Sequence, residues 1–462
     1  MKSEQYDLVV IGAGSAARDG ANRAAKEYGA KVALIEHERW GGSCPNVACV
    51  PTKAYLVAAE IAHWINTLAN RRGIEVGSAR VNLAQTKAWE ETLKKPQPKW
   101  VEDLQAAGFD TYAGTASFVD AQTVRVGDTE LSADRILIAT GSRTAVPPIE
   151  GIESVDWIDH ITALELEEPP ESLLVVGAGG VGLEFGQAFS RFGSKVTIVD
   201  AADHIAPQAD QQSAVELHAA LADEGIAIIL ASFVTKIAAR NAGGVATITP
   251  SEGGDARELE FDCLLLASGR VANIEQLDLE AIGVETSELG IVADGRMRTS
   301  VPGVWAAGDV NGQALFTPAA QYQARIAVAD MFGADSAPAD YSTLPTAIFT
   351  EPELAGVGMT EAEARERAQE AESVVHPLRH LRRAEYTDAE HGLFKLVFDA
   401  KSRRVLGLHI VAPAASEVIQ GFALAIKLGA TVDDLAQAHH AFPTIGQGVK
   451  AAAERARVAV AV

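Results

Sequence analysis

Leu8-Val-Val-Ile11-Gly12-Ala-Gly14-Ser-Ala-Ala17 is a continuous apolar strand running into a glycine turn, followed by an alanine-rich helical stretch to Tyr28. Val32-Ala-Leu-Ile35 then closes on Glu36. Strand, glycine turn, helix, strand and acid stand in the order a dinucleotide-binding βαβ unit requires. Gly12 permits the tight turn, Gly14 lets backbone approach a pyrophosphate, and Ala17 takes the third small position. The helix start offers unpaired N–H groups and partial positive charge to that anion. Glu36 is placed to accept ribose hydroxyls.

The unit recurs. Leu173-Leu-Val-Val176 leads into Gly177-Ala-Gly179-Gly180-Val181-Gly182, a helix, and Lys195-Val-Thr-Ile-Val199 ending on Asp200. The first glycines lie 177 − 12 = 165 positions apart, too far for one nucleotide fold. Two nucleotide sites are implied, and electron transfer between two dinucleotides is their obvious use.

Outward from these units, Pro147-Pro148 and Pro169-Pro170 bracket the entry to the second copy. Gly243-Gly244 and Gly253-Gly254 read as turns between alternating strands. From about Tyr341 the character changes to strands such as Phe394–Phe398 and Val405–Val411, then an amphipathic helix from Glu417 to Leu428. The expected fold class is α/β: two Rossmann-like dinucleotide-binding domains plus a C-terminal α+β dimerisation domain. The expected boundaries are 1–146 and 271–340 for the first domain, 147–270 for the second and 341–462 for the last.

The 462 residues leave room for about three domains, and an apolar fraction of 48% excludes a disordered or fibrous chain. Lys plus Arg is 39 against 62 Asp plus Glu, a formal charge of −23 that repels nucleic acid and anionic lipid. No uncharged apolar run approaches the roughly 18 residues of a membrane span, and Met1–Asp7 has no signal-like apolar core. Three cysteines cannot staple a chain of this size, so a reducing, cytoplasmic compartment is expected.

Gly41-Gly42-Ser43-Cys44-Pro-Asn-Val-Ala-Cys49-Val-Pro-Thr-Lys53 carries the chemistry. Five positions separate the sulfurs, and a helical entry can bring them within disulfide reach. Lys53 is four beyond Cys49 on the same helical face, where its charge can stabilise an anion beside that sulfur. A zinc site would need two further Cys or His nearby. The third cysteine, Cys263, lies in the expected apolar strand Phe261–Leu266 and reads as a core thiol.

With two dinucleotide folds and GGSCPNVACVPTK just after the first, the chain resembles the pyridine nucleotide–disulfide oxidoreductases, which include dihydrolipoamide dehydrogenase, glutathione reductase and mercuric reductase. Ile138-Ala-Thr140-Gly141-Ser142, Ala267-Ser-Gly269-Arg-Val-Ala-Asn273, Thr299–Asp309 and Phe349–Gly358 agree, in order along the chain. The resemblance implies an NAD(P)H-dependent FAD oxidoreductase, with FAD on the first unit, a nicotinamide nucleotide on the second, and a homodimer built through the C-terminal domain. Asp200, which would repel a 2′-phosphate, followed by Ala201-Ala202 with no arginine, makes NADH rather than NADPH the expected nucleotide. It gives Glu36 to the adenosine ribose and Asp309 to the ribityl chain. Gly42, Ser43, Gly114, Thr140 to Ser142, and Leu315, Phe316, Thr317 and Pro318 would wall the flavin. Val234 and Gly269 join the nicotinamide-nucleotide contacts. Cys49 matches the flavin-proximal thiol, Cys44 the interchange thiol that meets substrate, and Lys53 the lysine paired with a glutamate, here Glu184. Gly180 stands where glutathione reductase has a gating tyrosine, so it leaves out a lid or simply suits a tight turn.

The chain departs from the family at the base. The family's H-P-T-x-x-E motif reads Phe442-Pro-Thr-Ile-Gly-Gln447 here, so both the histidine and its orienting carboxylate are replaced. His440, two positions upstream, is the available substitute, and His439 a weaker one. Mercuric reductase also has an aromatic in this slot, but its C-terminal thiol pair and N-terminal metal-binding module have no expected counterpart here. Three functions follow: reduction of a quinone, metal ion or small oxidant; dihydrolipoamide dehydrogenase with His440 as base; or a low-turnover nucleotide-binding redox sensor.

Overall fold

The computed structural model describes residues 2–241, 243–367 and 370–459. Two compact units are built, each from three segments of chain.

The first unit comprises Met1–Thr52, Ala88–Ala145 and Gly269–Tyr341. Its central sheet is five parallel strands in the order Val304–Ala306, Ile136–Ile138, Leu8–Ile11, Val32–Glu36, Asp110–Ala113. Leu8 and Val10 face one apolar cluster while Val9 and Ile11 face another. This double burial is why the strand reads as an unbroken apolar run. Helices Ser15–Tyr28 and Thr317–Met331 supply the first cluster with Ala17, Ala21, Ala24, Ala320, Ala324 and Val328, whose small side chains let the helices lie close to the sheet. A second sheet, Lys2–Tyr6, Thr129–Ala133, Thr123–Val126, Ala116–Asp120, carries Val124 and Leu131 onto the opposite cluster.

The second unit comprises Lys53–Lys87, Val146–Ser268 and Ser342–Val462. It repeats the five-stranded parallel arrangement with Trp157–Ile158, Cys263–Leu266, Ser172–Val176, Lys195–Val199 and Ala227–Ile229. The C-terminal segment forms an antiparallel sheet, Thr346–Ile348, Glu353–Gly358, Val405–Ala412, Leu393–Asp399, Ala371–Pro377. Helices Ala415–Lys427 and Gln447–Ala459 accompany it, and residues of both join its apolar cluster.

Three local expectations change. Gly243 and Gly244 lie within the strand Gly243–Pro250, not in a turn. A Cβ at Gly243 would overlap the Phe261 carbonyl and one at Gly244 would come within 2.6 Å of the Phe261 ring, so these glycines permit close strand pairing. Phe261–Leu266 is not one strand: Arg257–Phe261 pairs antiparallel and Cys263–Leu266 joins the parallel sheet. Asp262 makes the switch, its carboxylate accepting from Ser172 N (2.8 Å) and Ser172 Oγ (2.5 Å). The amphipathic helix spans Ala415–Lys427, two residues earlier at its start than the periodicity suggests.

Candidate active site

In the first unit, Gly12 has φ +112° and a Cβ there would overlap Ala139 O, so only glycine fits. Gly14 precedes helix Ser15–Tyr28 and gives it no side-chain cap. The N–H groups of the first turn are therefore open to an anion such as a diphosphate. Gly42 has φ +74°, and a Cβ on it would overlap Gly14 Cα. Glu36 Oε2 accepts from Ala13 N (2.9 Å), while Oε1 accepts from the backbone N of His37, Glu38 and Arg39 (3.0, 2.9 and 3.2 Å). The carboxylate is thus fixed at the strand end by four backbone amides.

The Thr140–Ser142 and Asp309 loops interlock. Ser142 Oγ donates to Asp309 Oδ2 (2.7 Å) and accepts from Arg270 Nε (2.7 Å), and Arg270 Nη2 donates to Ser142 O (2.8 Å). Thr140 Oγ1 donates to Asn273 O (2.7 Å), and Asn273 Nδ2 donates to Thr140 O (3.1 Å). Gly308 N donates to Gln323 Oε1 (2.6 Å), which also accepts from Asn311 Nδ2 (3.0 Å). Arg270, Asn273, Asn311 and Gln323 were missed as site residues. The motif holding Arg270 and Asn273 was visible, but its partners lie more than a hundred positions away. Gly114, Gly141 and Gly269 all have positive φ, and Leu315 and Phe316 are exposed ahead of the helix that Thr317 and Pro318 begin.

The thiols lie at helix starts. Cys44 is half-buried on the short helix Ser43–Asn46, and exposed Cys49 is the first residue of Cys49–Thr67. Cys49 Sγ is 3.8 Å from Thr317 Oγ1, the first residue of Thr317–Met331. Two helix N-termini favour negative charge at this sulfur. Among the described residues no group of three or more His, Cys, Asp or Glu is placed to hold a metal ion.

In the second unit, Lys53 Nζ meets Glu184 Oε2 at 2.6 Å and stands 4.2 Å from the centroid of Phe349. Glu184 Oε1 accepts from Phe349 N (3.0 Å), so a buried carboxylate ties lysine and loop together. Phe349 belongs to a motif that the sequence marks but assigns no role. Gly177 repeats the conformation of Gly12, with φ +113° and no room for a Cβ against Ala267 O, and Gly179 again gives its helix no side-chain cap. A Cβ on Gly182 would overlap Gly177 O, the close helix-to-strand contact that a third glycine serves. Gly180 has no left-handed φ, and a Cβ there would meet only Ile348 Cγ1 at 3.6 Å, so the turn does not demand glycine. Val181 is half-buried in the same first turn. Asp200 mirrors Glu36: Oδ2 accepts from Ala178 N (2.5 Å) and Oδ1 from Ala202 N (2.7 Å). Val234 is buried among the core residues of this unit, at a register shift in its strand. The Cys263 thiol is pushed up to about 11 by burial, which makes it a poor nucleophile.

His440 is half-buried with Nδ1 3.3 Å from Ala438 O, while His439 is exposed. Phe442 is 72% exposed in the single chain. Gln447 Oε1 accepts from Thr444 N at 3.4 Å. Its side chain is occupied with its own helix start.

Residues 6–324 match the family model described as "Pyridine nucleotide-disulphide oxidoreductase", and residues 344–453 match that of its dimerisation domain. The chain is 35% identical over 456 residues to a mercuric reductase of Lysinibacillus sphaericus, covering 98% of this chain and 83% of that protein. It is 35% identical over 468 residues to dihydrolipoyl dehydrogenase 3 of Pseudomonas putida, covering 98% of each. Among solved structures, the Cu(II) complex of the HOCl-induced flavoprotein disulfide reductase RclA from Escherichia coli superposes with a TM-score of 0.87 at 29% identity, covering 98% of this chain and 99% of that one. Among the described residues no helix is long and apolar enough to cross a membrane.

Proposed function

This chain belongs to the pyridine nucleotide–disulphide oxidoreductase family, whose members use FAD and NAD(P)H, and we propose that it passes electrons from NADH through Cys44 and Cys49 to an acceptor other than an ordinary dithiol–disulfide couple. A quinone, a metal ion or a small oxidant is that acceptor. The observation that carries this reading is the side-chain chemistry at positions 442 and 447. A phenyl ring cannot take a proton, and the Gln447 amide is turned onto Thr444 N. Relatives named mercuric reductase are consistent with a metal ion as acceptor.

Bound FAD supplies the hydride-accepting step between NADH and the sulfurs. The chain's residues do the rest. The first-turn amides after Gly14 and Gly179 take the two diphosphates, Glu36 and Asp200 take ribose hydroxyls, and Asp309, fixed through Ser142 and Arg270, takes the ribityl chain. Lys53, held by Glu184, places an ammonium where negative charge develops beside Cys49. Two electrons and one proton, together the equivalent of the hydride given up by NADH, open the Cys44–Cys49 disulfide, leaving a Cys49 thiolate and a Cys44 thiol. In a homodimer built through the 341–462 domain, Phe442 would present an apolar face to Cys44 of the partner subunit and exclude water there. The charge of −23 and the cysteine usage suit a reducing, cytoplasmic compartment.

A second reading is dihydrolipoamide dehydrogenase activity with His440 as base, favoured by the half-buried ring facing Ala438 O. Steady-state NADH oxidation by FAD-loaded protein separates the two. Turnover with a quinone, Hg(II) or Cu(II), and little with lipoamide, supports the first. Robust lipoamide turnover that His440→Ala destroys makes His440 the base and sinks it. Flavin that NADH cannot reduce would instead mark a sensor.

Two further results are expected. NADH reduction produces the long-wavelength absorbance of a thiolate against flavin, and Cys49→Ser removes it while FAD stays bound; a band surviving in Cys49→Ser would assign the wrong sulfur. NADH is used at least about tenfold better than NADPH in kcat/KM, because Asp200 repels a 2′-phosphate and Ala201-Ala202 offers no arginine to attract it. Asp200→Ala narrows that gap, and equal kcat/KM values for the two nucleotides in the native protein would refute the assignment.

A further inference from the structure

Arg18 lies one turn into helix Ser15–Tyr28, its N–H donating to Gly14 O at 3.0 Å. Gly14 packs against Gly42, so close that a Cβ on Gly42 would come within 2.4 Å of Gly14 Cα. Gly42 in turn precedes the short helix carrying Cys44. Trp100 spans the two segments. Its ring centroid is 4.7 Å from the Arg18 guanidinium carbon, and a Cβ on Gly41 would come within 2.6 Å of its indole. Trp100 is 8% exposed, so this stacking fixes the guanidinium against the thiol segment.

Arg18 Nε is buried without a hydrogen-bond partner among the described residues, and no carboxylate among them lies within ion-pair distance of the guanidinium. Burial pushes the Arg18 guanidinium down, and the electrostatic influence of Cys44 opposes that shift. The attraction is mutual, so it also favours the sulfur anion. Of the other charged groups on neighbouring segments, Lys95 also stands on Trp100, its ammonium 4.1 Å from the ring centroid, but is neutralised by Asp103. Asp19 pairs with Arg23 and Arg325, Arg39 with Glu38, and Glu36 with backbone amides. Lys53 is held by Glu184.

We propose that Arg18, clamped by Trp100, is a positioning residue that keeps a permanent positive charge beside Cys44 and stabilises its thiolate. The inference rests on the reading of Cys44 as the interchange thiol. It supplies what Phe442 cannot: the Cys44 S–H gives its proton to water, its bonding electrons stay on sulfur, and the anion persists without an adjacent base. A nucleophilic thiolate at neutral pH suits a metal ion or an electrophilic oxidant.

The test is alkylation of Cys44 by iodoacetamide across pH 6–10 in FAD-loaded Cys49→Ser protein, with the modified residue identified by peptide mass. Cys263, its thiol pushed up to about 11, does not compete near neutrality. Adding Arg18→Met slows alkylation at pH 7 about tenfold, the effect of one pKa unit, with the plateau rate at high pH unchanged; Arg18→Lys recovers part of the loss. An unchanged profile, or equal slowing at every pH, overturns the proposal. So does loss of FAD with an unshifted profile, which would assign the guanidinium to the flavin diphosphate. Should Arg18→Met not fold, Trp100→Leu, which releases the guanidinium, slows the pH 7 rate about threefold by weakening the same attraction, and no change overturns the idea. The readout involves no acceptor, so robust lipoamide turnover through His440 would sink the acceptor reading while leaving this result standing.

Discussion

Lipoamide reduction rises by about two orders of magnitude when Phe442→His is combined with Gln447→Glu, within the range that positioned acid–base catalysis provides. Phe442→His alone gives much less. An imidazole without a carboxylate partner lacks a fixed tautomer and orientation, so the two changes are coupled rather than additive. Position 447 is suited to the exchange, because Gln447 Oε1 accepts a single weak bond from Thr444 N, and a glutamate can accept the same bond with its second oxygen free. Steady-state kcat/KM with lipoamide for the native protein, both single variants and the double variant is the measurement. An additive double variant, or no gain, would show that disulfide exchange is limited elsewhere.

Lys395→Met lowers the stability of the second unit by about 3–5 kcal/mol, the usual cost of removing one partner from a buried ion pair. Lys395 Nζ lies 2.8 Å from Asp210 Oδ2 and 2.7 Å from Glu361 Oε2, and both the lysine and Asp210 side chains are 3% exposed. Burial alone would push Asp210 up, but the Lys395 ammonium holds it below the usual carboxylate range, and Glu361 behaves likewise. With depressed carboxyls the contribution is present at neutral pH and is lost as pH falls through their folded pKa values. His409, opposite Lys395 in the sheet, is held down by burial and adds to the lowering of Asp210. Thermal and urea unfolding check the loss, and Lys395→Met with Asp210→Asn and Glu361→Gln recovers part of it. A loss under about 1 kcal/mol for Lys395→Met would mean that the carboxylates relax to water.

Much of this molecule is legible in its sequence because its constraints are local. The strands Leu8–Ile11 and Lys195–Val199, the positive φ of Gly12 and Gly177, and the acids Glu36 and Asp200 each follow from a few adjacent residues. What stayed hidden depends on partners far along the chain. Gly243-Gly244 has the composition of a turn, and only the Phe261 ring and carbonyl across the ladder make it a strand. The run Phe261–Leu266 is uniformly apolar except for Asp262, and nothing local says that Ser172 will draw that carboxylate and divide the strand. Arg270 and Gln323 read as ordinary polar residues until the fold aims them at Ser142 and Gly308. Trp100, more than eighty positions from Arg18, gives no sign in sequence of holding it.

The contact between Gly14 and Gly42 joins the flavin loop and the thiol segment in a single clearance, since a side chain on Gly42 would occupy the space of Gly14 Cα. Under mutational drift the two behave as one heritable block. A variant library spread over residues 12–44 should return almost no survivors at Gly42, and no rescue by a change at Gly14, which has no smaller residue to yield with. Phe442, exposed in the single chain, makes no such contact within its own fold. On the proposed reading, residues there can be exchanged without disturbing the Gly14–Gly42 clearance, which makes position 442 the place to begin a directed search for new acceptors.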